Sequence, residues 1–212
     1  MRHTAFLITI SALAAAAAIP ASAEETDLQL DLGSTKVEFT LGDILHTVHG
    51  TFKLKSGDIH FDPTTGKASG ALVVDAKSGD SGSGARDSRM HKNILQSDKY
   101  PDIVFRPDRV DGAINLQGDS DLRIHGTFRI HGGDHEMVLP AKTHIAGQQM
   151  TAVIRFPVPY VKWGMKNPST LFLRVNDTVD ISIQAVGHLG VMEGPRQTSA
   201  QAGEGSLAAA AR

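Results

Sequence analysis

The side chains with the widest chemical range in this chain are its histidines, which apart from His3 are His46, His49, His60, His91, His125, His131, His135, His144 and His188. Imidazoles bind metals and move protons near neutral pH. His125, His131 and His135 come nearest to a metal cluster. His125 and His131, however, fall three alternations apart on the outward face of one strand, and His135 lies past a Gly-Gly turn, so spacing brings no three together. No metal site is expected, and the histidines read as solvated surface residues. The carboxylates Asp62, Asp87, Asp98 and Asp180 sit at turns, caps or outer strand faces, where structural roles account for them. No G-x-S-x-G or H-E-x-x-H motif occurs, and the Gly-rich stretch 78–84 lacks the lysine of a phosphate-cradling loop. The chain has no cysteine, which excludes thiolate nucleophiles, disulfides, Cys-based metal sites and lipobox attachment. The expectation is a protein that is not an enzyme and requires no cofactor.

The clearest helical signal runs from Arg86 to Leu95, with Met90 and Ile94 on one face and Leu95 beside them. Asp87 or Ser88 can cap its first turn, and Pro101 pushes Tyr100 out of helical geometry, so the spacing predicts a helix over 86–98. A short apolar-faced helix among strands is either a lid over an enclosed space or a plug completing a solid core.

The rest of the chain alternates. Val37, Phe39 and Leu41 face one way, with Lys36, Glu38 and Thr40 between them. The same period recurs at Val48, Gly50, Phe52 and Leu54. Ser56-Gly57-Asp58 then reads as a turn into Ile59 and Phe61, and Asp62-Pro63-Thr64-Thr65-Gly66 as a second turn. Leu72, Val74 and Ala76 follow, then a Ser-Gly loop over 78–84. After the helix the inward positions are Ile103 and Phe105; Ile114 and Leu116; Leu122 to Ile130; Met137 and Leu139; Met150 to Phe156; and Val179, Ile181 and Ile183. So many short alternating strands predict a mainly β antiparallel barrel or sandwich. Their polar faces point outward, the reverse of an outer-membrane barrel. The small inward residues Gly50, Gly126 and Ala152 lean towards a cavity, although strand glycines also mark bends and bulges.

The first residues carry Arg2 and His3, then an apolar run from Ala5 to Ile19 and the sequence Ala21-Ser22-Ala23, the pattern of a secretory signal peptide over 1–23. One domain is expected over 24–189. Beyond it, 190–212 is too poor in large apolar residues to offset its ordering entropy and is expected to be disordered. With 21 Lys and Arg against 23 Asp and Glu, nothing suggests a nucleic-acid partner.

Several blocks in order resemble the YceI-like family of exported bacterial proteins. They are Val37-Glu38-Phe39 with Val48-His49-Gly50-Thr51-Phe52; Gly57 to Pro63; Gly84-Ala85-Arg86-Asp87; Lys99-Tyr100-Pro101-Asp102; Leu122-Arg123-Ile124-His125-Gly126; and Trp163 to Ser169 with Arg174-Val175. The chain departs from the family at Gly33-Ser34, where a His-Ser pair is common, and at Ile94-Leu95, where an aromatic pair is common. The resemblance implies an eight-stranded, lipocalin-like antiparallel barrel with a short helix near its mouth and a bound polyisoprenoid or prenylated quinone inside.

On that reading the ligand contacts are Phe39, Val48, Phe52, Leu72, Val74, Met90, Ile94, Leu95, Ile103, Phe105, Leu122, Ile124, Phe128 and Ile154 for the chain. Arg86, Asp87, Arg89, Tyr100 and Trp163 would hold the head. The alternative for Arg86 and Asp87 is a helix cap with a local ion pair, and for Trp163 a loop anchor on the barrel rim. The expected function is periplasmic binding, storage or transport of an isoprenoid lipid. Transient contact with a membrane or with respiratory proteins stays open, as does a homodimer. Two other classes also stay open: a structural or stress-response protein with a filled core, and a periplasmic metal or redox accessory that uses the histidines.

Overall fold

The computed structural model describes residues 25–42, 46–170 and 174–191. The expected signal peptide lies outside the described residues, as does the expected tail apart from Gly190 and Val191. Those two extend the last strand instead.

Nine strands form one antiparallel sheet: β1 (Thr26–Leu30), β2 (Lys36–Gly42), β3 (Thr47–Phe61), β4 (Ala68–Asp80), β5 (Asp102–Asp111), β6 (Gly118–Ile130), β7 (Gly133–Ala146), β8 (Gln149–Val158) and β9 (Val179–Val191). Neighbours run β3-β2-β9-β8-β7-β6-β5-β4, and β4 returns to β3. β1 pairs with the C-terminal parts of β3 and β9, and β2 with their N-terminal parts. β1 and β2 are therefore two lengths of one stave, and the nine strands close an eight-stranded barrel. Closure removes the free edges on which open sheets aggregate.

Alternation decides which faces are buried. Along β8, Met150, Ala152, Ile154, Phe156 and Val158 are buried while Thr151, Val153, Arg155 and Pro157 are exposed. Strand direction then fixes the two ends. One end gathers the helical segment after β4, the His131-Gly132 turn between β6 and β7, and the 159–178 connection after β8. The other holds the 62–67, 112–117 and 147–148 connections, while 31–35 lies within the wall between the two lengths of the β1–β2 stave.

Several local expectations are corrected. Ser56-Gly57-Asp58 is not a turn, because β3 runs through it unbroken. Register shifts against β4 between Thr51 and Lys53 and between Leu54 and Ser56 move the inward positions from Val48, Phe52 and Leu54 to Ile59 and Phe61. β4 likewise continues through Ser78 to Asp80, so the Ser-Gly loop begins at Ser81. Ile114 and Leu116 lie in a loop, where Leu116 is exposed. Gly50 and Gly126 mark close approaches rather than cavity space. A Cβ at Gly50 would meet the Phe39 ring at 2.3 Å, and one at Gly126 would meet the Arg106 carbonyl oxygen at 2.2 Å.

The helix also differs from expectation. It comprises α1 (Gly84–Arg89) and a π-helical turn (Met90–Leu95). Ser83 is the N-cap but makes no side-chain capping bond, and Asp87 falls inside the first turn. The segment ends at Leu95 instead of 98 because Gln96 turns left-handed, with φ 48°, and its N–H donates to the His91 carbonyl. This i to i+5 pattern brings Met90 and Leu95 onto one face, so both join Ile94 in facing the barrel interior.

Candidate ligand cavity

The barrel is hollow. A cavity of about 580 Å³ occupies it, within the range of about 300–1,000 Å³ common for small-molecule sites. Every strand contributes to its wall, chiefly with Leu, Ile, Val, Phe and Met, and the helical segment covers one end.

Of the residues expected from the sequence, the structure brings together on this wall Phe39, Val48, Phe52, Leu72, Val74, Arg86, Met90, Ile94, Leu95, Ile103, Phe105, Leu122, Ile124, Phe128 and Ile154, with Arg89. Asp87, Tyr100 and Trp163 do not reach the wall. Asp87 is engaged elsewhere: its Oδ1 accepts from the Ser81 amide at 2.9 Å and from the Ser81 hydroxyl at 2.5 Å. Tyr100 packs against His131, ring centroids 4.8 Å apart, with Lys99 over its face. Trp163 stands behind the wall, its centroid 5.9 Å from that of Phe128.

The expected local ion pair is also revised, since Ser81 stands between its partners. Arg86 Nε donates to the Ser81 hydroxyl at 2.7 Å and its Nη to the Ser81 carbonyl at 2.8 Å. Arg89 has no hydrogen bond or ion pair among the described residues. The polar side chains on the wall are thus few. Ser81, Ser83, Arg86 and Arg89 gather at the α1 end; Thr143 stands on β7; and the Tyr160 hydroxyl donates to the Asn176 carbonyl at 2.7 Å. Burial, with a lesser contribution from the Asp177 charge, pushes the Tyr160 phenol up to about 12.

The helical segment is fastened to β4. His91 Nε2 meets the Gly79 carbonyl at 3.0 Å and its Nδ1 meets the Ser97 hydroxyl at 3.2 Å. Lys77 bridges to Asp98 at 2.7 Å. These bonds hold Met90, Ile94 and Leu95 over the cavity.

Two features escaped sequence reasoning. His135 faces inward, because register pairs it directly with Phe128 across a turn of only His131 and Gly132. The left-handed His131, φ 51°, makes that tight turn, and its ring turns in against Tyr100 instead of standing on the outer face. His135 stacks on Trp163, and the Nε2 atoms of both histidines are buried without a hydrogen bond. The second omission is the 159–165 turn, whose Tyr160 and Met165 line the cavity; the Pro159-Tyr160 start beside Trp163 was the available signal. Among the described residues no three His, Asp or Glu side chains are placed to hold a metal ion.

Residues 28–187 match the model of the YceI-like domain. The chain belongs to the YceI-like family. Among solved structures, that of Burkholderia cenocepacia BcnA is similar at 19% identity and a TM-score of 0.62, covering 74% of this chain and 98% of that one. A polyisoprenoid binding domain from Saccharophagus degradans, described as implicated in plant cell wall breakdown, is similar at 15% identity and a TM-score of 0.57, covering 77% and 98%. At these identities the likeness is one of fold. No curated protein matches the chain.

Proposed function

We propose that this YceI-like barrel carries a polyisoprenoid lipid or a prenylated quinone, and that it acts as a binding protein rather than an enzyme. The observation that carries this reading is the enclosed apolar cavity of about 580 Å³ with its charged groups, Arg86 and Arg89, at one end only. A branched hydrocarbon chain asks a protein for dry surface, at about 0.8 kcal/mol per buried methylene. The head then lies beside Ser81, Ser83, Arg86 and Arg89, where polar groups remain available to it. The description of the Saccharophagus degradans relative as polyisoprenoid binding supports the same ligand class. Export to the periplasm is part of the proposal, on the strength of the charged start, apolar run and Ala21-Ser22-Ala23 of the sequence.

The test is mass spectrometry of an organic extract of protein purified from a bacterial periplasm without detergent. A stoichiometric prenyl species is expected. An extract that stays empty after incubation with prenylated quinones and prenyl phosphates would overturn the reading.

A further inference from the structure

The β7–β8 ladder leaves a seam in the barrel wall. β7 and β8 pair only from Ala141 with Ile154 to Ala146 with Gln149, although both strands continue towards the helix end, β7 over 133–140 and β8 over 155–158. The ladder stops where prolines stand: Pro140 follows directly on β7 and Pro157 lies near the end of β8. Neither has an N–H to donate. Other breaks are filled: where β3 lacks a partner on its β1–β2 side over 53–57, Leu30 packs against Gly57, and where β4 and β5 part near Pro107 the Lys67 to Arg109 bridge and the Val110 amide donating to the Gly66 carbonyl at 2.7 Å close them again. The β7–β8 seam runs to the strand ends without such a second closure.

Trp163 stands at the helix-side end of the seam, where β8 has ended and β7 continues. Its indole lies on His135 of β7 with ring centroids 3.9 Å apart, and 5.9 Å from the cavity-lining Phe128. The turn that carries it is tied within itself and to the loop before β9, by Trp163 N–H to the Pro159 carbonyl, Met165 N–H to the Tyr160 carbonyl and Val161 N–H to the Asp177 carbonyl. Among the described residues no hydrogen bond joins residues 159–169 to β7, so only side-chain packing closes this side. The helical segment at the same end is bonded to β4 instead. Outside, Val138 on β7 and Val153 on β8 are 42% and 36% exposed, and they are the exposed large hydrophobics found on strands among the described residues. A hydrocarbon chain passing here meets apolar surface on both sides of the wall.

We infer that the β7–β8 seam is the port through which the lipid enters and leaves, with Trp163 as its door and the helical segment a fixed cover. This rests on the carrier reading above and adds the route. The route predicts that loosening the door speeds entry and exit together and leaves equilibrium affinity nearly unchanged, because the door is not on the cavity wall.

The experiment follows exchange of a dansyl-labelled geranylgeraniol between phosphatidylcholine vesicles and the full chain by stopped flow. Trp163→Ala is expected to raise the entry and exit rates by about tenfold, as loss of an aromatic stack from the closed state implies. Trp163→Phe should fall between it and the parent. In case the alanine variant folds poorly, Pro140→Val with Pro157→Val restores two amide donors at exposed strand positions, and it is expected to lengthen the ladder and slow exchange. His91→Ala, which removes the bond to Gly79 but leaves the Lys77 to Asp98 bridge in place, is expected to leave exchange unchanged. Faster exchange in His91→Ala, with unchanged rates in Trp163→Phe and in the proline double variant, would overturn the port and make the helix the lid. Failure of the parent to take up the probe at equilibrium would overturn the carrier reading itself.

Discussion

The imidazole of His135 lies flat against the indole of Trp163, with centroids 3.9 Å apart and planes 8° from parallel. Trp163 is the only tryptophan, so the protein's indole emission reports this site alone. Removing the ring in His135→Ala should shift that emission to the red as water reaches the indole. It should also lower stability by about 0.5–1.5 kcal/mol, the usual worth of an aromatic pair. His135→Phe should restore both. An unshifted spectrum in His135→Ala would mean that the stack does not shield the indole.

His131 makes stability depend on pH. Its burial, and secondarily the positive charge of Lys99, hold its pKa below the ordinary 6.5. As pH falls through 6.5 the unfolded chain takes up the proton first, so this group's contribution to stability is full above 6.5 and declines below it, levelling once the folded protein is also protonated. His131→Asn tolerates the left-handed turn and does not titrate, so it should flatten the profile below pH 6.5. Thermal melts across that range for the two proteins supply the comparison.

Alternation was legible wherever a strand runs straight and stays in phase. β8 alternates without a fault, and the inward positions of β6 follow from sequence alone. Phase was lost where backbone geometry intervenes. The register shifts in β3 turned Ser56-Gly57-Asp58 into strand, and the 112–117 loop let Ile114 and Leu116 imitate a strand they do not form. β1, with Asp27 and Gln29 in a five-residue stretch, carried too few apolar residues to register as half a stave. The same limit hid the door. Spacing placed His135 beyond a Gly-Gly turn, whereas the turn is His131-Gly132 and the register returns His135 to the inner face opposite Phe128.

Tyr160 should mark the alkaline limit of the fold. The unfolded phenol ionises near 10, while the folded one stays protonated to about 12. Stability therefore falls as pH rises from 10 towards 12. Tyr160→Phe leaves the Asn176 carbonyl without its donor, at a cost of about 1 kcal/mol near neutrality, but it should remove the alkaline slope. Denaturant midpoints at pH 7 and pH 11 separate the two effects.

Among the described residues, Arg86 and Arg89 put the only charges on the cavity wall. If the head lies beside them, replacing both by Ala should weaken a prenyl phosphate much more than the matching prenyl alcohol. A charge-assisted hydrogen bond contributes about 1.5–3 kcal/mol, so a loss of tenfold or more in affinity is expected for the phosphate alone. Equal losses for the two ligands, measured by titration, would place the head elsewhere.

A hollow barrel and a filled one respond in opposite ways to an added ring. Ile154 is buried at 8% exposure and lines the cavity, whereas Leu54, at 6%, does not. In Leu54→Trp the added atoms do not enter this cavity and press on the packed side chains around a buried site, and overpacking of this kind costs about 1–3 kcal/mol. In Ile154→Trp the added atoms point into the cavity and take volume that the ligand needs, so the melting temperature should stay near that of the parent while extractable lipid falls. Apolar contact between the indole and the opposite wall offsets part of the strain of insertion. The informative result is the divergence of the two variants, one losing stability and the other losing lipid. If Ile154→Trp instead unfolds at the temperature of Leu54→Trp while its lipid content per folded molecule is unchanged, the space beside Ile154 is not where the ligand lies.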